Sequence, residues 1–303
     1  MTYQRISILG CGWLGFPLAM RLLEMGHFVR GSTTTKDKIP LLEQSGIEPW
    51  FIQLNPHLIG DDPASFFDVD TVVLNIPPPR VEDRVAFMMR QADDIVSHIS
   101  ASPVKRLIMV SSTGVYAAKG QDADEEDPWP PESVNGKGLV AMETKLMEEL
   151  TNELSEGLTE GLSEELTEGL SEELTRKLTA SVAVVRMAGL FGPDRNPGRF
   201  LAGRSVSGNG DEPVNMIHLE DAIGVISALI EQPDVAGVFN ACAREHPTRR
   251  EFYRKASEKT GFEMPVFADG EARAWKRIVS EKIRNATGYS FMYDNPIEGF
   301  DDL

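Results

Sequence analysis

The sequence predicts an α/β protein built on a doubly wound parallel sheet, with a small C-terminal substrate lobe. Short apolar strands alternate with segments of helical spacing along most of the chain. The strands are apolar on both faces, which is typical of a parallel sheet covered by helices. A glycine-rich turn at residues 10–15, with the sequence GCGWLG, joins the first strand to the first helix. This combination predicts a Rossmann-type fold.

The individual elements follow from apolar runs and from their punctuation by glycine and proline. Strands are predicted at residues 5–9, 27–31, 50–54, 71–76, 106–111 and 181–187, and helices at 16–25, 82–99 and 139–150. Gly26 caps the first helix at its C-terminal end. Beyond Gly189 the pattern changes, with helices at 219–231 and 248–260 around a strand at 237–242. We therefore predict a dinucleotide-binding domain at 1–188 and a smaller substrate-binding lobe at 189–303, some of whose elements return to the main domain.

A low-complexity repeat interrupts the first domain. Between residues 150 and 178 a leucine recurs at every fourth position, separated by Ser or Thr, Glu, and Gly or Glu. A period of four overshoots the helical 3.6, so these leucines drift around a helix instead of forming one face. Glycines and like charges four residues apart weaken a helix further. We interpret the repeat as a tandem insertion without a catalytic role.

Composition excludes several classes of function. The 303 residues include 47 Asp and Glu against 30 Lys and Arg, a formal charge of −17. Such an acidic chain repels phosphate backbones, so no nucleic-acid partner is expected. No apolar run reaches membrane-spanning length, so no membrane partner is expected either. The two cysteines make neither a disulfide framework nor a zinc site, which favours the cytoplasm, and no metal site is predicted. The oligomeric state stays open, a homodimer included.

The glycine-rich turn predicts a dinucleotide site. Gly10 permits the tight turn, Gly12 lets the backbone approach a pyrophosphate, and Gly15 allows close packing of helix and strand. The N-terminus of the following helix supplies free N–H donors and a positive dipole. The intervening residues of the loop belong to the same predicted site: Cys11, Trp13 and Leu14. The alternative is a glycine-rich turn without a ligand.

The end of the second strand favours NADP over NAD. A carboxylate there would hydrogen-bond the 2′-hydroxyl of NAD. None stands at the expected place near Thr33, where the chain carries hydroxyl groups followed by lysines. We therefore assign Ser32, Thr33, Thr34 and Lys36 to the 2′-phosphate of NADP. NAD remains an alternative because Asp37 follows closely.

Three further motifs support a family resemblance. They are VSSTGVY at 110–116, RMAGLFGP at 186–193 and NMIHLEDA at 215–222. In this order, after the glycine motif, they resemble the extended short-chain dehydrogenase/reductase superfamily, which includes nucleotide-sugar epimerases and dehydratases. The glycine spacing and the segment IPPP at 76–79 look more like its atypical, YeeZ-type branch. Within that segment we assign Ile76, Pro77 and Pro78 to the cofactor site.

The resemblance implies a catalytic Ser or Thr together with a Tyr-x-x-x-Lys pair. This sequence departs from the superfamily's pattern at that pair. Matching on the Val-Tyr pair places Ser112 at the Ser/Thr position, with Tyr116 as the nearest aromatic hydroxyl. None of the five tyrosines is followed by a lysine four residues later. We predict Ser112 and Tyr116 as the catalytic candidates, with Lys137 or Lys145 as a substitute for the missing lysine.

The substrate expected from the resemblance is a nucleotide-sugar or a similar small polar molecule. Arg199 and Arg204 lie in the region where the superfamily binds sugar-nucleotide diphosphates. The first hypothesis is an NAD(P)-dependent oxidoreductase or epimerase-like enzyme. A second is a dinucleotide-binding or sensor protein without turnover, which the missing Tyr-x-x-x-Lys pair favours. A third, based on the first 30 residues alone, is a β-hydroxyacid dehydrogenase-like protein, against which the later motifs argue.

Overall fold

The computed structural model describes residues 2–151 and 180–303, so residues 152–178 of the leucine repeat lie outside the described chain. The principal sheet has eight strands. Their order across the sheet is β12 (Gly237–Ala241), β8 (Ser181–Met187), β6 (Arg106–Ser112), β5 (Thr71–Leu74), β1 (Arg5–Leu9), β2 (Phe28–Thr33), β3 (Glu48–Leu54) and β4 (Leu58–Gly60). Strand β1 pairs in parallel with β2 and β5, and β2 with β3 and β5 with β6, whereas β4 runs antiparallel to β3. The predicted α/β, Rossmann-type architecture is confirmed.

Two compact units divide the chain. Unit 1 comprises residues 1–111, 133–184 and 229–237, and unit 2 comprises 112–132, 185–228 and 238–303. Both units are assembled from separated segments, and the predicted domain boundary at residue 188 stays a prediction.

The first half of the chain forms the following strands and helices. They are β1 (Arg5–Leu9), α1 (Gly15–Glu24), β2 (Phe28–Thr33), α2 (Ile39–Gln44), β3 (Glu48–Leu54), β4 (Leu58–Gly60), α3 (Pro63–Phe66), β5 (Thr71–Leu74), α4 (Arg84–Ser100), β6 (Arg106–Ser112), β7 (Gln121–Ala123) and α5 (Val134–Leu150).

The second half continues with shorter elements. They are β8 (Ser181–Met187), β9 (Gly189–Phe191), α6 (Pro197–Phe200), β10 (Ser205–Val206), β11 (Met216–His218), α7 (Leu219–Glu231), β12 (Gly237–Ala241), α8 (Arg249–Thr260), β13 (Val266–Phe267), β14 (Lys276–Ile278) and α9 (Glu281–Thr287).

The core of unit 1 lies on both faces of its strands. Ile6 and Ile8 of β1 are fully buried, and so are Leu18 and Leu22 of α1. The leucines recur four residues apart, so they lie on one face of the helix. Full burial of each aliphatic side chain contributes about 1.5–3 kcal/mol relative to exposure. This packing fixes the first β-α-β unit, which carries the glycine-rich loop.

Helix α5 begins five residues earlier than predicted. Ser133 caps it, because its Oγ accepts a hydrogen bond of 2.9 Å from the Gly136 N–H group. The first turns contain Gly136 and Gly138, which the sequence reads as poor helix formers. A Cβ atom at Gly138 would stand 2.7 Å from the Met88 sulfur of α4. Gly138 thus lies at the close contact between α4 and α5, and the same glycine obscures the start of α5 in the sequence.

The core of unit 2 is built largely from aromatic rings. Phe191, Phe252 and Phe300 are buried together, and their ring centroids lie 5.0–6.0 Å apart. Edge-on and tilted aromatic contacts of this kind add about 0.5–1.5 kcal/mol per pair beyond the area buried. The cluster joins β9, α8 and the C-terminal turn of the chain.

Candidate cofactor site and active site

The glycine-rich loop has the geometry of a dinucleotide cradle. Gly10 has φ +110°, and a Cβ atom there would stand 2.2 Å from the Asn75 carbonyl oxygen. A Cβ atom at Gly15, the first residue of α1, would stand 2.2 Å from the Gly10 carbonyl oxygen. At Gly12, in contrast, a Cβ atom would meet nothing within 4 Å. Gly10 and Gly15 therefore hold the turn together, and Gly12 borders open space that a phosphate group could approach.

Two neighbouring strands anchor this loop. The Gly10 N–H group donates to Ser32 Oγ at 2.9 Å, and the Cys11 N–H group donates to the Ser32 carbonyl at 2.9 Å. Asn75 Nδ2 donates to the Gly10 carbonyl at 2.9 Å. Ser32 is itself buried. Its side chain therefore fixes the loop, and Asn75, which the sequence analysis missed, does the same from the end of β5.

A cavity of about 210 Å³ opens in front of the loop, within unit 1. Eight of the predicted cofactor residues line it: Gly10, Cys11, Gly12, Ser32, Thr33, Thr34, Ile76 and Pro77. Six further residues complete the lining: Leu9, Thr35, Lys38, Ile52, Leu54 and Asn75. The other predicted residues are outside this lining: Trp13, Leu14, Gly15, Lys36 and Pro78. The apolar walls and polar end suit a nucleoside with a charged group.

The two lysines after β2 have different surroundings. Lys36 Nζ lies 5.2 Å from the centroid of the Phe51 ring, which is within cation–π distance. Lys38 lines the cavity, together with Thr33, Thr34 and Thr35. No carboxylate is among the cavity-lining residues in the described part of the chain. The lysine best placed for an anionic group is thus Lys38, although the sequence analysis assigned Lys36.

Cys11 is a packed residue of the loop. Its side chain is buried, and burial raises the pKa of its thiol to about 12. A Cβ atom at Gly31 would stand only 2.6 Å from its sulfur. The thiol is therefore neutral at physiological pH, where it fills the space between the loop and β2.

Tyr116 and Ser112, the catalytic candidates, both lie in unit 2. The Ser112 Oγ accepts a hydrogen bond of 3.0 Å from the Gly114 N–H group. The Tyr116 hydroxyl donates to Asn240 Oδ1 at 2.8 Å and accepts from Arg186 Nη1 at 2.8 Å. Tyr116 is only 6% exposed, and burial raises the pKa of its phenol to about 12.

The partners of Tyr116 are themselves held in place. Asn240 Nδ2 donates to the Val279 carbonyl at 3.0 Å, and Arg186 also lies over the Tyr116 ring, 5.1 Å from its centroid. Lys276 donates from Nζ to the Tyr116 carbonyl, and burial lowers the pKa of this lysine. Lys276 is a contact that the sequence analysis missed, because it comes from a strand 160 residues further along the chain.

The candidate substitute lysines lie on α5. Lys145 Nζ lies 2.7 Å from Asp93 and 2.6 Å from Glu149, and its hydrogen bond to Asp93 raises its pKa. Lys137 is exposed. On the same helix the buried Glu143 accepts a hydrogen bond from Ser111 Oγ. The two carboxylates around Lys145 favour a structural role for that residue.

Arg199 and Arg204 come together in unit 2. Both line a cavity of about 340 Å³ with Asp194, Asn196 and Phe200. Asn196 caps α6, since its Oδ1 accepts from the Gly198 N–H group at 2.9 Å. The cavity thus combines two guanidinium groups with an exposed aromatic side chain. That chemistry suits a phosphate attached to a base, although the role of both arginines stays a prediction.

Neither a metal centre nor a membrane segment is found in the described ranges. Within residues 2–151 and 180–303, no group of three or more His, Cys, Asp or Glu side chains could hold a metal ion. The helices described there lack the combined length and apolar character needed to cross a membrane.

Solved structures share this fold over almost the whole chain. A conserved protein of unknown function from Silicibacter pomeroyi has a TM-score of 0.72 at 22% identity, covering 98% of this chain and 97% of its own. UDP-glucuronic acid 4-epimerase from Bacillus cereus, in complex with NAD, has a TM-score of 0.73 at 16% identity, covering 98% and 95%. MoeE5, in complex with UDP-glucose and NAD, has a TM-score of 0.70 at 18% identity, covering 98% and 96%. This chain therefore shares the Rossmann-type fold of these structures.

A relative found by sequence identifies the family of this chain. Protein YeeZ of Escherichia coli strain K12 is 32% identical over 297 residues, covering 97% of this chain and 98% of its own. No family model matches the chain. The chain therefore belongs to the family of Protein YeeZ, which confirms the YeeZ-type resemblance seen in its motifs.

Proposed function

We propose that this protein is an NADP-binding, epimerase-like enzyme that acts on a nucleotide-sugar or a similar small polar substrate. The observation that carries the proposal is the glycine loop, in which Gly12 borders open space beside a cavity at the N-terminus of α1. When bound, the nicotinamide would supply reversible hydride exchange. The solved relatives named above support the substrate class, because two of them are described with NAD and one also with UDP-glucose.

The cofactor fits the residues that are present. Loop N–H groups and the α1 dipole would face the pyrophosphate, and Ile52 and Leu54 would contact the adenosine. The threonines at 33–35 and Lys38 would receive the 2′-phosphate, because hydroxyl and ammonium groups donate to phosphate oxygens. NAD remains the alternative cofactor, and a cytoplasmic location remains a prediction.

A second function is favoured by one specific observation. The Tyr116 phenol is buried and its proton is committed to Asn240, so in this geometry it is poorly placed to exchange a proton with a substrate. Together with the missing Tyr-x-x-x-Lys pair, this favours a dinucleotide-binding or sensor protein without turnover. Ser112 would then serve as the cap of the turn after β6, as its contact with Gly114 indicates.

Titration with NADPH and NADH, followed by tryptophan fluorescence, tests the cofactor. Trp13 lies within the loop and serves as the reporter. We expect saturable, NADPH-selective quenching. Lys38→Gln should weaken NADPH binding about ten-fold, or about 1.4 kcal/mol, and leave NADH binding unchanged. Lys36→Gln is the matched control, with the same loss of charge two residues away, and we expect it to change NADPH affinity by less than about three-fold.

The outcomes separate the parts of the proposal. Selective binding of NADH would overturn the 2′-phosphate assignment alone. No binding of either dinucleotide would overturn the enzyme hypothesis. NADPH binding without hydride exchange over a panel of UDP-sugars and carbonyl compounds would favour the protein without turnover.

A further inference from the structure

We call the cavity of about 210 Å³ at the glycine-rich loop the cofactor cavity. A second cavity in unit 1 is lined by the residues that follow next along the chain. Ile76 and Pro77 line the cofactor cavity, and Pro78 and Pro79 line the next one. This second cavity measures about 540 Å³, within the range typical of small-molecule sites. Its full lining, which we call the arginine cavity, is Pro78, Pro79, Arg80, Val81, Arg84 and Asn135.

The side chains of the arginine cavity are arranged as donors. Arg84 donates from Nε to the Val81 carbonyl at 3.2 Å and from Nη1 to Asn135 Oδ1 at 2.9 Å. These two bonds hold the guanidinium plane in one orientation. They also engage the amide oxygen of Asn135, which leaves its NH₂ group available as a donor. Arg80 adds a second, exposed guanidinium.

The charge of the arginine cavity is uncompensated by its own lining. Both charged residues in this lining are arginines, and none of its described members is acidic. Two carboxylates, Glu82 and Asp83, stand between Arg80 and Arg84 in the sequence but outside this lining. Asp83 caps α4 by accepting from the Ala86 N–H group at 3.2 Å. Guanidinium and amide N–H groups are donors that bind carboxylate and phosphate oxygens.

We propose that the arginine cavity binds the oxyanion, a carboxylate or a phosphate, of a small polar substrate. The inference deepens the proposed function and rests on it, since it defines the substrate as an anionic molecule such as a sugar acid or sugar phosphate. Asn135 and Leu139 lie one helical turn apart on α5 and line this cavity and the adjacent apolar one. Of these two residues, Asn135 borders the arginine cavity and offers its amide, whereas Leu139 lines the neighbouring pocket.

The test measures oxyanion binding directly on the full-length protein. Citrate, glucose 6-phosphate and neutral glucose are titrated at constant ionic strength, following the arginine Nε–H signals by NMR. Arg84→Gln and Arg80→Gln remove one guanidinium each. Arg90→Gln is the matched control, because Arg90 lies on the same helix, is exposed and is outside the cavity lining.

We expect saturable binding of citrate, of glucose 6-phosphate, or of both, and none of glucose. Citrate alone would identify a carboxylate site and glucose 6-phosphate alone a phosphate site. Arg84→Gln should weaken binding at least about ten-fold, or 1.4 kcal/mol, and Arg90→Gln less than about two-fold. Arg80→Gln, on an exposed side chain, keeps the test valid if Arg84→Gln does not fold.

Two results would overturn the inference: no saturable binding of either anion, or equal weakening by Arg90→Gln and the cavity variants. The NADPH titration runs in parallel on the same samples. Normal NADPH binding without anion binding would overturn the anion site in the arginine cavity and leave the proposed function intact. Anion binding without NADPH binding would support the anion site in the arginine cavity and overturn the proposed function.

Discussion

The cofactor cavity and the surroundings of Tyr116 use polar groups in opposite ways. In the cofactor cavity, Gly12 borders open space and Lys38 lines the wall. Around Tyr116, each polar group is bound by another: Arg186 donates to the phenol, the phenol to Asn240, and Asn240 to Val279. The first arrangement is prepared for a ligand, whereas the second is already satisfied within the protein.

This difference separates the two parts of the proposed function, cofactor binding and proton exchange. A cradle for a dinucleotide needs backbone N–H groups and space, which three glycines supply. Proton exchange needs a hydroxyl whose proton is available and whose pKa is brought near the working pH. Burial raises the pKa of Tyr116 instead. We therefore expect mutations at the glycine-rich loop and at Tyr116 to have different effects.

The largest expected effect is on the cofactor cavity. Gly12→Val places a branched side chain in the open space where the pyrophosphate would lie, so we expect NADPH affinity to fall at least about 100-fold, or about 2.7 kcal/mol. The fold should remain, because no atom stands within 4 Å of a Cβ at this position. Fluorescence titration and thermal unfolding measure the two effects.

Gly10→Ala is the contrasting variant. Its Cβ would collide with Asn75 and the residue would keep a positive φ, so it should lower the melting temperature. A Gly12→Val protein that binds NADPH normally would contradict the cradle.

The next effect concerns Tyr116. Tyr116→Phe removes the donor to the Oδ1 atom of the buried Asn240, and a buried polar group left unsatisfied costs about 1–3 kcal/mol. We expect urea unfolding to show this loss, with NADPH affinity unchanged. Tyr3→Phe, at a side chain that is 65% exposed, is the control and should have no effect. Loss of turnover without loss of stability would instead indicate that Tyr116 has a catalytic role.

The same two regions show what the sequence could predict. The glycine loop could be predicted because its requirements are local: a strand, three glycines and a helix follow one another within residues 5–24. The sequence pointed to the lysines after β2 but could not choose between Lys36 and Lys38, because the short 3₁₀ turn at Lys36–Lys38 decides which of them lines the cavity. Asn75 was missed because its role depends on the neighbouring strand.

The network around Tyr116 could not be predicted, since Asn240 and Arg186 come from positions 124 and 70 residues away. Nothing in the local sequence indicates which hydroxyl becomes buried between them. The fold class was predicted because apolar periodicity repeats along the chain, whereas pairings between single polar groups depend on tertiary packing. The start of α5 was predicted five residues too late for the same reason, because Gly138 packs closely against Met88 of α4.

The smallest effect compares one buried thiol from each region, Cys11 in the loop and Cys242 in unit 2. Burial raises the pKa of both to about 12, from 9.0. The unfolded chain therefore releases these protons first as pH rises, and folding stability falls above pH 9. The loss between pH 9 and pH 10 should be about 1 kcal/mol per thiol.

Urea unfolding at the two pH values measures this loss, and Cys11→Ala and Cys242→Ala should each remove one thiol's share of it. Equal shares are expected because both sulfurs are buried, although only Cys11 lines the cofactor cavity. Saturating NADPH should distinguish the thiol of Cys11 from that of Cys242. A ligand that binds only the folded state stabilises the fold and so slows the reaction of both buried thiols with a thiol reagent. NADPH should slow the reaction of Cys11 further, because Cys11 lines the cofactor cavity. Equal protection of both thiols would mean that NADPH acts by stabilising the whole fold, and the cavity at the loop would lose its claim to the cofactor.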